Sequence, residues 1–210
     1  MDIRKFEVGP FLENTYLLTN KDQHILIDPG FSTETEFRDF KQSLTGDLQA
    51  IVLTHAHVDH VMGIDRTLLD FDIPVYLCEE ERFLWDNFGS QAKMFGLNQG
   101  GFTFKPHSLP KEGNFEIGNF RFECLYTPGH SPDHISLYFE DEQALIAGDT
   151  LFKESIGRTD LYQGDFTILE KSIQEKLYVL PEQTTVYPGH GPTTTIGHEK
   201  KSNAFVKAGS

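Results

Sequence analysis

The residues best suited to chemistry stand together in one short stretch, Thr54-His55-Ala56-His57-Val58-Asp59-His60. It follows an apolar run that is typical of a buried strand. In an extended chain alternate side chains point the same way, so His55 and His57 share one side. Asp59 and His60 come after a turn and face a second point. Imidazole and carboxylate groups are common metal ligands, and this spacing predicts half of a two-metal centre.

Three later segments repeat one design, in which an apolar strand runs into a turn with glycine and then reaches a ligand-type residue. These segments are Leu125-Tyr126-Thr127-Pro128-Gly129-His130, Leu145-Ile146-Ala147-Gly148-Asp149 and Val186-Tyr187-Pro188-Gly189-His190. Glycine permits the tight backbone path and proline stiffens it. Alone, each Pro-Gly-His is typical of a structural turn. Beside the first stretch, the three segments predict His130, Asp149 and His190 as the remaining ligands.

Composition restricts the class of protein and of partner. A chain of 210 residues fits one domain with a proper core, and no run approaches the ~20 apolar residues of a membrane helix. The N-terminus lacks a signal peptide's apolar segment, and two cysteines make no disulfide framework. The net charge of −14 argues against nucleic-acid binding. We therefore expect a cytoplasmic monomer or small homo-oligomer that acts on a small molecule, with no membrane partner.

Apolar periodicity predicts strands and helices in both halves of the chain. The predicted strands are 2–8, 14–19, 23–28, 50–53, 74–77, 115–117, 120–126, 135–139, 144–147 and, as the final strand, 184–187. The predicted helices are 33–43, 63–69, 79–88 and 165–180, the last with Ile168, Leu169, Ile173, Leu177 and Leu180 on one stripe. Residues 89–114 are predicted as loop with fragments of strand, and whether they form a flap stays open. This order predicts two packed sheets with helices outside.

The motifs His-x-His-x-Asp-His, Gly-His-Ser-Pro, Gly-Asp-Thr-Leu-Phe and Pro-Gly-His-Gly-Pro, in that order, resemble those of the metallo-β-lactamase-fold hydrolases. The chain is most similar to the short bacterial branch of glyoxalase II, the hydroxyacylglutathione hydrolases. The resemblance implies an α+β fold, a four-layer αββα sandwich with the site at one edge between the sheets. It also implies a single domain over residues 1–210, without the C-terminal helical glutathione-binding domain of the long enzymes.

The resemblance further implies how the ligands divide between two divalent metal ions. His55, His57 and His130 would hold the first ion, Asp59, His60 and His190 the second, and Asp149 would bridge them. Zinc is the favoured metal, and iron or manganese would suit the same ligands. The true lactamases of this fold place a cysteine in the second site, which argues against an antibiotic hydrolase here. For His134, a supporting role beside the ligands and a structural role both stay open.

The predicted reaction is hydrolysis of an acyl thioester, with S-D-lactoylglutathione giving D-lactate and glutathione. Two metals about 3.5–4 Å apart share a hydroxide that attacks the carbonyl, and Asp59 would orient this nucleophile and accept a proton. Arg158 falls where the long enzymes have a lysine that meets the glycine carboxylate of glutathione, while an internal pair of Arg158 with Asp160 is equally favoured. Lys200 and Lys201 are further candidates for substrate contact.

Two other activities remain open. A mononuclear Fe(II) persulfide dioxygenase of the same fold resembles this sequence in Gly-Arg-Thr-Asp and uses only the equivalents of His55, His130 and Asp149. The presence of all second-site residues argues against it. A lactone or phosphoester hydrolase of the same fold would use the same hydroxide.

Overall fold

The computed structural model of the chain describes residues 1–78 and 82–208. By their contacts these residues form two units. The first unit holds the described residues of Met1–Leu109 together with Glu116–Phe120, and the second holds Pro110–Phe115 and the described residues from Arg121 onward. In the described part of the chain, no helix is long and apolar enough to cross a membrane.

The first unit contains a six-stranded sheet and five short helices. Its strands, in sheet order, are β1 (Asp2–Val8), β2 (Glu13–Asn20), β3 (Gln23–Ile27), β4 (Asp47–Val52), β5 (Val75–Cys78) and β6 (His107–Leu109). Its helices are α1 (Glu34–Gln42), α2 (Val58–Val61), α3 (Ile64–Leu68), α4 (Phe83–Asp86) and α5 (Phe88–Met94). Strands β1 to β3 pair antiparallel, whereas β3 to β6 pair parallel. The carboxyl ends of β3 and β4 therefore meet at one edge of the sheet.

The second sheet also has six strands. In sheet order they are β14 (Thr194–Thr195), β13 (Thr185–Pro188), β10 (Ala144–Gly148), β9 (Ile135–Phe139), β8 (Phe120–Tyr126) and β7 (Gly113–Ile117). A small hairpin of β11 (Leu151–Phe152) and β12 (Ser155–Ile156) follows β10. Helix α6 (Phe166–Ser172) runs into a π-helical turn, Ile173–Leu177, and α7 (Ile196–Ser202) follows β14. Both units thus combine strands and helices, as an α+β fold requires.

Each unit has its own apolar core. In the first, Phe37 and Phe40 of α1 pack with Leu26 and Ile51 of the sheet. In the second, the core residues Leu169, Ile173 and Leu177 lie along the helical segment and pack with strand residues of that unit. They are spaced by four residues, so they form one row along the helix. Burial of these apolar faces fixes which side of each helix meets its sheet.

The structure corrects three of the predicted elements. Residues 89–114 are mainly loop with fragments of strand, as predicted, but α5 (Phe88–Met94) was not predicted; packing of Phe88 and Ala92 overrides Gly89 there. Ile168 is 47% exposed and lies off the buried stripe, since it is one residue, about 100°, away from Leu169. Residues 184–187 are not the final strand, because β14 and α7 follow. Of the predicted helix 79–88, residues 79–81 lie outside the described part of the chain.

Candidate metal centre

The first set of predicted ligands lies between the end of β4 and the first turn of α2. His55 and His60 are fully buried, and His57 is the residue that precedes α2. The ring centroids of His55 and His57 are 4.7 Å apart, and those of His55 and His60 are 4.2 Å apart. Asp59 stands in the first turn of α2, with its Oδ2 3.9 Å from His60 Nε2. The structure therefore brings these four side chains together within the first unit.

Asp28 fixes the orientation of two of these imidazoles. Its carboxylate accepts hydrogen bonds from the Thr54 amide (2.8 Å), the Thr54 hydroxyl (2.6 Å) and His60 Nδ1 (3.0 Å). Because the Thr54 hydroxyl proton is given to Asp28, its oxygen accepts from His55 Nδ1 at 3.0 Å. Both rings therefore carry their proton on Nδ1, which leaves Nε2 as the nitrogen that would face a metal ion.

Asp28 is a functional residue that the sequence analysis missed. In the sequence it is only the last residue of the predicted strand 23–28, ahead of Pro29-Gly30. Its backbone φ is +47°, a left-handed conformation that aspartate tolerates better than most residues. A signal was available, because Asp28 follows β3 directly and β3 pairs parallel with β4. Polar residues at the carboxyl ends of neighbouring parallel strands lie close together.

Glu13 is a second buried carboxyl group that the sequence did not mark. Its side chain is 1% exposed, and Oε1 lies 3.8 Å from His60 Nδ1. The Thr15 hydroxyl lies 2.8 Å from Glu13 Oε2. Burial raises the pKa of Glu13 well above its ordinary value, opposed by His60 and reinforced by the nearby Asp28 carboxylate. Glu13 is therefore a buried carboxyl group beside the first ligand set, in surroundings that disfavour its charged form.

The second set of ligands lies in the second unit, on turns that follow strands. Asp149 follows β10 directly, and His190 follows β13. Asp149 Oδ2 is 3.4 Å from His130 Nε2 and 3.6 Å from His190 Nε2. His130 is buried, while the His190 side chain is 27% exposed. The structure thus brings these three predicted ligands together within the second unit.

The segment that follows the β11–β12 hairpin holds His130 in place. The carbonyl of Arg158 accepts a hydrogen bond from His130 Nδ1 at 2.8 Å, so Nε2 is again the nitrogen on the Asp149 side. Between them, Gly157 passes so close that an added Cβ would collide with the Asp149 carbonyl and come within 3.1 Å of His130 Nδ1. Glycine is therefore required at this position for the two backbone segments to approach.

The donor chemistry and the distances fit divalent metal ions. Ligand atoms about 2.0–2.1 Å from a tetrahedral ion lie about 3.3–3.4 Å from one another. The separations of 3.4 and 3.6 Å around Asp149 Oδ2 are close to this value. His55, His60 and His130 each have Nδ1 engaged by an acceptor of the protein, the arrangement that orients metal-binding imidazoles. The residues present therefore suit the predicted cofactor, while their division between two ions stays a prediction.

The predicted substrate contacts all have carboxylate neighbours within the chain. Arg158 donates to both carboxylate oxygens of Asp160, at 2.6 and 2.8 Å. The side-chain nitrogens of Lys200 and Lys201 lie 3.7 and 3.5 Å from Glu182. The internal pair of Arg158 with Asp160, one of the two alternatives from the sequence, is thus formed. A role of these three cations in substrate binding stays a prediction.

Comparison with known proteins places the chain in a family. The sequence pattern of the metallo-beta-lactamase superfamily matches residues 8–190. Over 98% of both chains, 41% of residues are identical to the probable metallo-hydrolase YqgX of Bacillus subtilis. Over the full length of both chains, 33% are identical to hydroxyacylglutathione hydrolase GloC of Haemophilus influenzae.

Solved structures show the same similarity. The crystal structure of BLEG-1 B3 metallo-beta-lactamase matches with a TM-score of 0.88 and 39% identity, covering 98% of this chain and 99% of that one. The crystal structure of TTHA1623 in a di-iron-bound form matches with a TM-score of 0.87 and 35% identity, covering 97% of this chain and all of that one. The chain therefore belongs to the metallo-beta-lactamase superfamily, and the predicted fold is confirmed. It is a metal-dependent hydrolase of this superfamily.

Proposed function

We propose that this protein hydrolyses an acyl thioester, with S-D-lactoylglutathione as the expected substrate, at a centre of two divalent metal ions. The observation that carries the proposal is the complete pair of ligand sets, one around His55, His57, Asp59 and His60 and one around Asp149. His55, His57 and His130 would hold one ion, Asp59, His60 and His190 would hold the other, and Asp149 would serve both. Similarity to GloC along the whole chain supports the choice of a thioester.

Bound divalent ions supply Lewis acidity, which polarises an acyl carbonyl and lowers the pKa of water. The chain's own residues orient the ligands, restrict water around them and handle a proton. Asp28 and the Arg158 carbonyl hold the imidazoles at fixed angles through their Nδ1 atoms. This preorganisation means that no reorientation is needed as charge develops on the carbonyl oxygen. Buried apolar neighbours such as Ala56 and Val58 restrict water around the ligand segment.

Asp59 is the residue we assign to proton handling. Its side chain is 16% exposed and adjoins His60, so it can meet both a ligand and solvent. Overall, the oxygen of a water molecule bonds to the acyl carbon, the carbon–sulfur bond breaks, and the water proton ends on the departing thiolate. Asp59 would orient the attacking water and carry that proton. A thiol has a pKa of about 8.5, so its thiolate leaves without a strong general acid.

The test combines metal content with thiol release. Protein purified without a histidine tag would be analysed for zinc, iron and manganese per chain and assayed with S-D-lactoylglutathione, using a chromogenic thiol reagent. The proposal expects close to two metal ions per chain and rapid thiol release. Two ions without thiol release would exclude this thioester, and lactone and phosphoester substrates would then be assayed on the same preparation.

Three variants test the roles of the ligands. H57A and D149N should each lose turnover together with part of the bound metal, because each removes a proposed ligand. D59N should lose turnover by about 10²-fold or more together with part of the bound metal, because Asp59 is both a proposed ligand and the proposed proton carrier. Full activity with full metal content in H57A or D149N would contradict the assignment.

The dioxygenase alternative predicts a different pattern in the same preparation. It requires one iron per chain, oxygen uptake with glutathione persulfide, and no thiol release from the thioester. It also predicts that H190A, which removes a proposed second-ion ligand, leaves activity intact. Loss of thiol release and of one metal ion in H190A would favour the hydrolase.

A further inference from the structure

His134 is a buried histidine that the ligand assignment does not use. It lies just before β9 and is fully buried. Its Nε2 accepts a hydrogen bond from the backbone amide of Asp149 at 2.9 Å. An amide nitrogen can only donate, so Nε2 must carry the lone pair and Nδ1 the proton. The backbone amide of Asp149, the proposed bridging residue, is therefore held by a histidine that carries its proton on Nδ1.

The backbone at Asp149 explains why this acceptor is needed. Gly148 has a φ of +49°, and the pairing of β10 with β13 shifts register between Ile146 and Gly148. The chain leaves the regular ladder at this point. The Asp149 amide thus turns away from the sheet, towards His134. A buried amide must find an acceptor, and the imidazole supplies it.

The imidazole of His134 is also held at its second nitrogen, Nδ1. His134 Nδ1 lies 3.0 Å from the Thr127 hydroxyl and 3.1 Å from the Thr150 hydroxyl. Thr127 in turn contacts the Ser136 hydroxyl at 3.0 Å, and its amide donates to the His134 carbonyl at 3.0 Å. These four side chains are all fully buried. The ring is consequently fixed from both nitrogens and has little freedom to rotate.

We propose that His134 is a positioning residue of the metal centre, which sets the direction in which Asp149 presents its carboxylate to His130 and His190. It binds no ion itself and acts through the Asp149 backbone. The inference rests on the proposed function, because it takes Asp149 as a metal ligand. It predicts that the shape of the turn at Asp149, and with it the affinity for metal, depends on the acceptor at His134 Nε2.

Two substitutions separate this role from simple core packing. H134L fills much of the space but removes the acceptor, whereas H134Q keeps a carbonyl oxygen that can reach the position of Nε2. Metal-free protein would be titrated with zinc in competition with a chromophoric chelator. We expect H134L to bind at least one ion about 10–100-fold more weakly, as loss of a residue supporting a ligand typically does. H134Q should recover most of this loss.

His24 provides a matched control elsewhere in the chain. It is also fully buried, its Nε2 accepts the Thr45 amide at 3.1 Å, and its Nδ1 contacts the Thr19 hydroxyl at 2.9 Å. It stands in β3 four residues before Asp28, with no predicted ligand in contact. H24L should lower the melting temperature of the metal-free protein, as H134L does, but leave both zinc affinities unchanged.

Hydrogen exchange of the Asp149 amide gives a second readout that does not involve metal. In metal-free protein this amide should exchange slowly in the wild type and in H134Q, and at least about tenfold faster in H134L. If H134L does not fold, H134N replaces it, because the shorter side chain cannot reach the amide. Wild-type zinc affinity and slow exchange in a folded H134L or H134N would overturn the inference.

Failure of the inference can be told apart from failure of the proposed function. D149N tests whether Asp149 is a metal ligand at all. If D149N binds zinc like the wild type, the proposed function fails and the inference fails with it. If D149N loses an ion while H134L and H134Q both bind normally, only the positioning role of His134 is overturned. Equal losses in H134L and H134Q would also overturn it.

Discussion

Asp28 shows how one carboxylate can set the geometry of several ligands. It accepts three hydrogen bonds, two from Thr54 and one from His60 Nδ1. The Thr54 hydroxyl, held by Asp28, accepts a hydrogen bond from His55 Nδ1 and so orients that ring as well. Carboxylate groups that hold the outer nitrogen of a ligand imidazole fix its tautomer and raise its basicity. The effect of Asp28 on metal binding should therefore exceed its effect on stability.

We predict that D28N weakens zinc binding about 10–100-fold. Asparagine tolerates the positive φ at this position and has the same shape, so the fold should survive. An amide nitrogen at the position of Oδ2, however, is only a donor and can accept from neither the Thr54 hydroxyl nor His60 Nδ1. Chelator competition on metal-free protein measures the affinity, and circular dichroism checks the fold. A folded D28N with wild-type affinity would show that Asp28 serves the backbone turn alone.

Arg158 and Asp160 allow a prediction about pH. The hydrogen bonds from Arg158 lower the pKa of Asp160 to about 2. A lowered carboxyl pKa means that the pair stabilises the fold above the ordinary aspartate value of about 3.9 and that this contribution is lost as the pH falls through about 2. In R158Q the Asp160 titration, followed by carbon-13 NMR, should move up towards 3.9. R38Q, at another exposed arginine, should leave it at about 2.

The same variant decides between the two interpretations of Arg158. If Arg158 binds a substrate carboxylate, R158Q raises KM for S-D-lactoylglutathione and leaves kcat unchanged. Under this interpretation, KM for an acyl thioester without carboxylates does not change. If Arg158 serves only Asp160, KM changes for neither substrate. Steady-state kinetics on the two thioesters therefore separates substrate binding from an internal ion pair.

At the scale of elements, the start of α1 is held by one glutamate. Glu36 accepts hydrogen bonds from the amides of Gly9, Ser32 and Thr33, at 2.8 to 2.9 Å. Thr33 accepts from the Glu36 amide in return, which completes a capping box. Burial raises the pKa of Glu36, but the three amide donors outweigh it and bring the pKa below the ordinary value. The ionised carboxylate is therefore the form that stabilises the helix.

We predict that E36Q destabilises the metal-free protein by about 1 kcal/mol at neutral pH, the usual cost of losing a helix cap. The folded pKa is lowered, so the benefit of Glu36 is present above about 4.3 and disappears as the pH falls through its folded value. The difference between E36Q and the wild type in urea denaturation should accordingly shrink as the pH is lowered stepwise below about 4.3. E34Q, at an exposed neighbour in the same helical turn, is the control and should show a smaller effect.

Helix α5 supports the ligand segment through Gln91. The side-chain amide of Gln91 donates to the carbonyls of Ala56 at 3.0 Å and Leu84 at 2.7 Å. Ala56 stands between the predicted ligands His55 and His57. We predict that Q91L costs about 1–3 kcal/mol in urea denaturation, because two carbonyls lose a donor. Q174L removes one exposed bond to Lys207 and should change stability by less; equal effects would argue against a special role for Gln91.

The elements that the sequence predicted well are those with strong local patterns. Helix α1 has Phe37 and Phe40 on one face and a capping box at its start, so periodicity and cap agree. Helix α5 contains Gly89 and Ser90, and its stability comes from packing, with Phe88 stacked 4.4 Å from Phe102. Such contacts join residues distant in sequence and leave no periodic signal. The short α7 was missed for a similar reason, since buried Glu199 anchors it through Thr194 and the Glu154 amide.

At the scale of the whole chain, the order of the motifs predicted residues that the structure brings close together within each unit, while their role as metal ligands stays a prediction. His55 and His190 are far apart in sequence, yet each lies after a strand, as do His57, His130 and Asp149, whereas Asp59 and His60 lie in α2. Glycine and proline turns mark such positions in the sequence itself. The supporting residues Gln91 and Thr150 could not be found in this way, because they are ordinary polar residues whose roles depend on which groups come within hydrogen-bond distance. Asp28 could be found only once the parallel pairing of β3 with β4 is known.

The net charge of −14 leads to a prediction for the entire molecule. Self-repulsion destabilises a compact anionic chain, and salt screens it as the Debye length falls from about 30 Å at 0.01 M to about 8 Å at 0.15 M. The melting temperature of metal-free protein should therefore rise over this range of sodium chloride. With two divalent ions bound the charge becomes −10 (−14 plus 4), so the rise should be smaller. Choline chloride at equal ionic strength should give the same rise, because screening depends on ionic strength rather than on the cation; a melting temperature that is flat or falls would contradict the prediction.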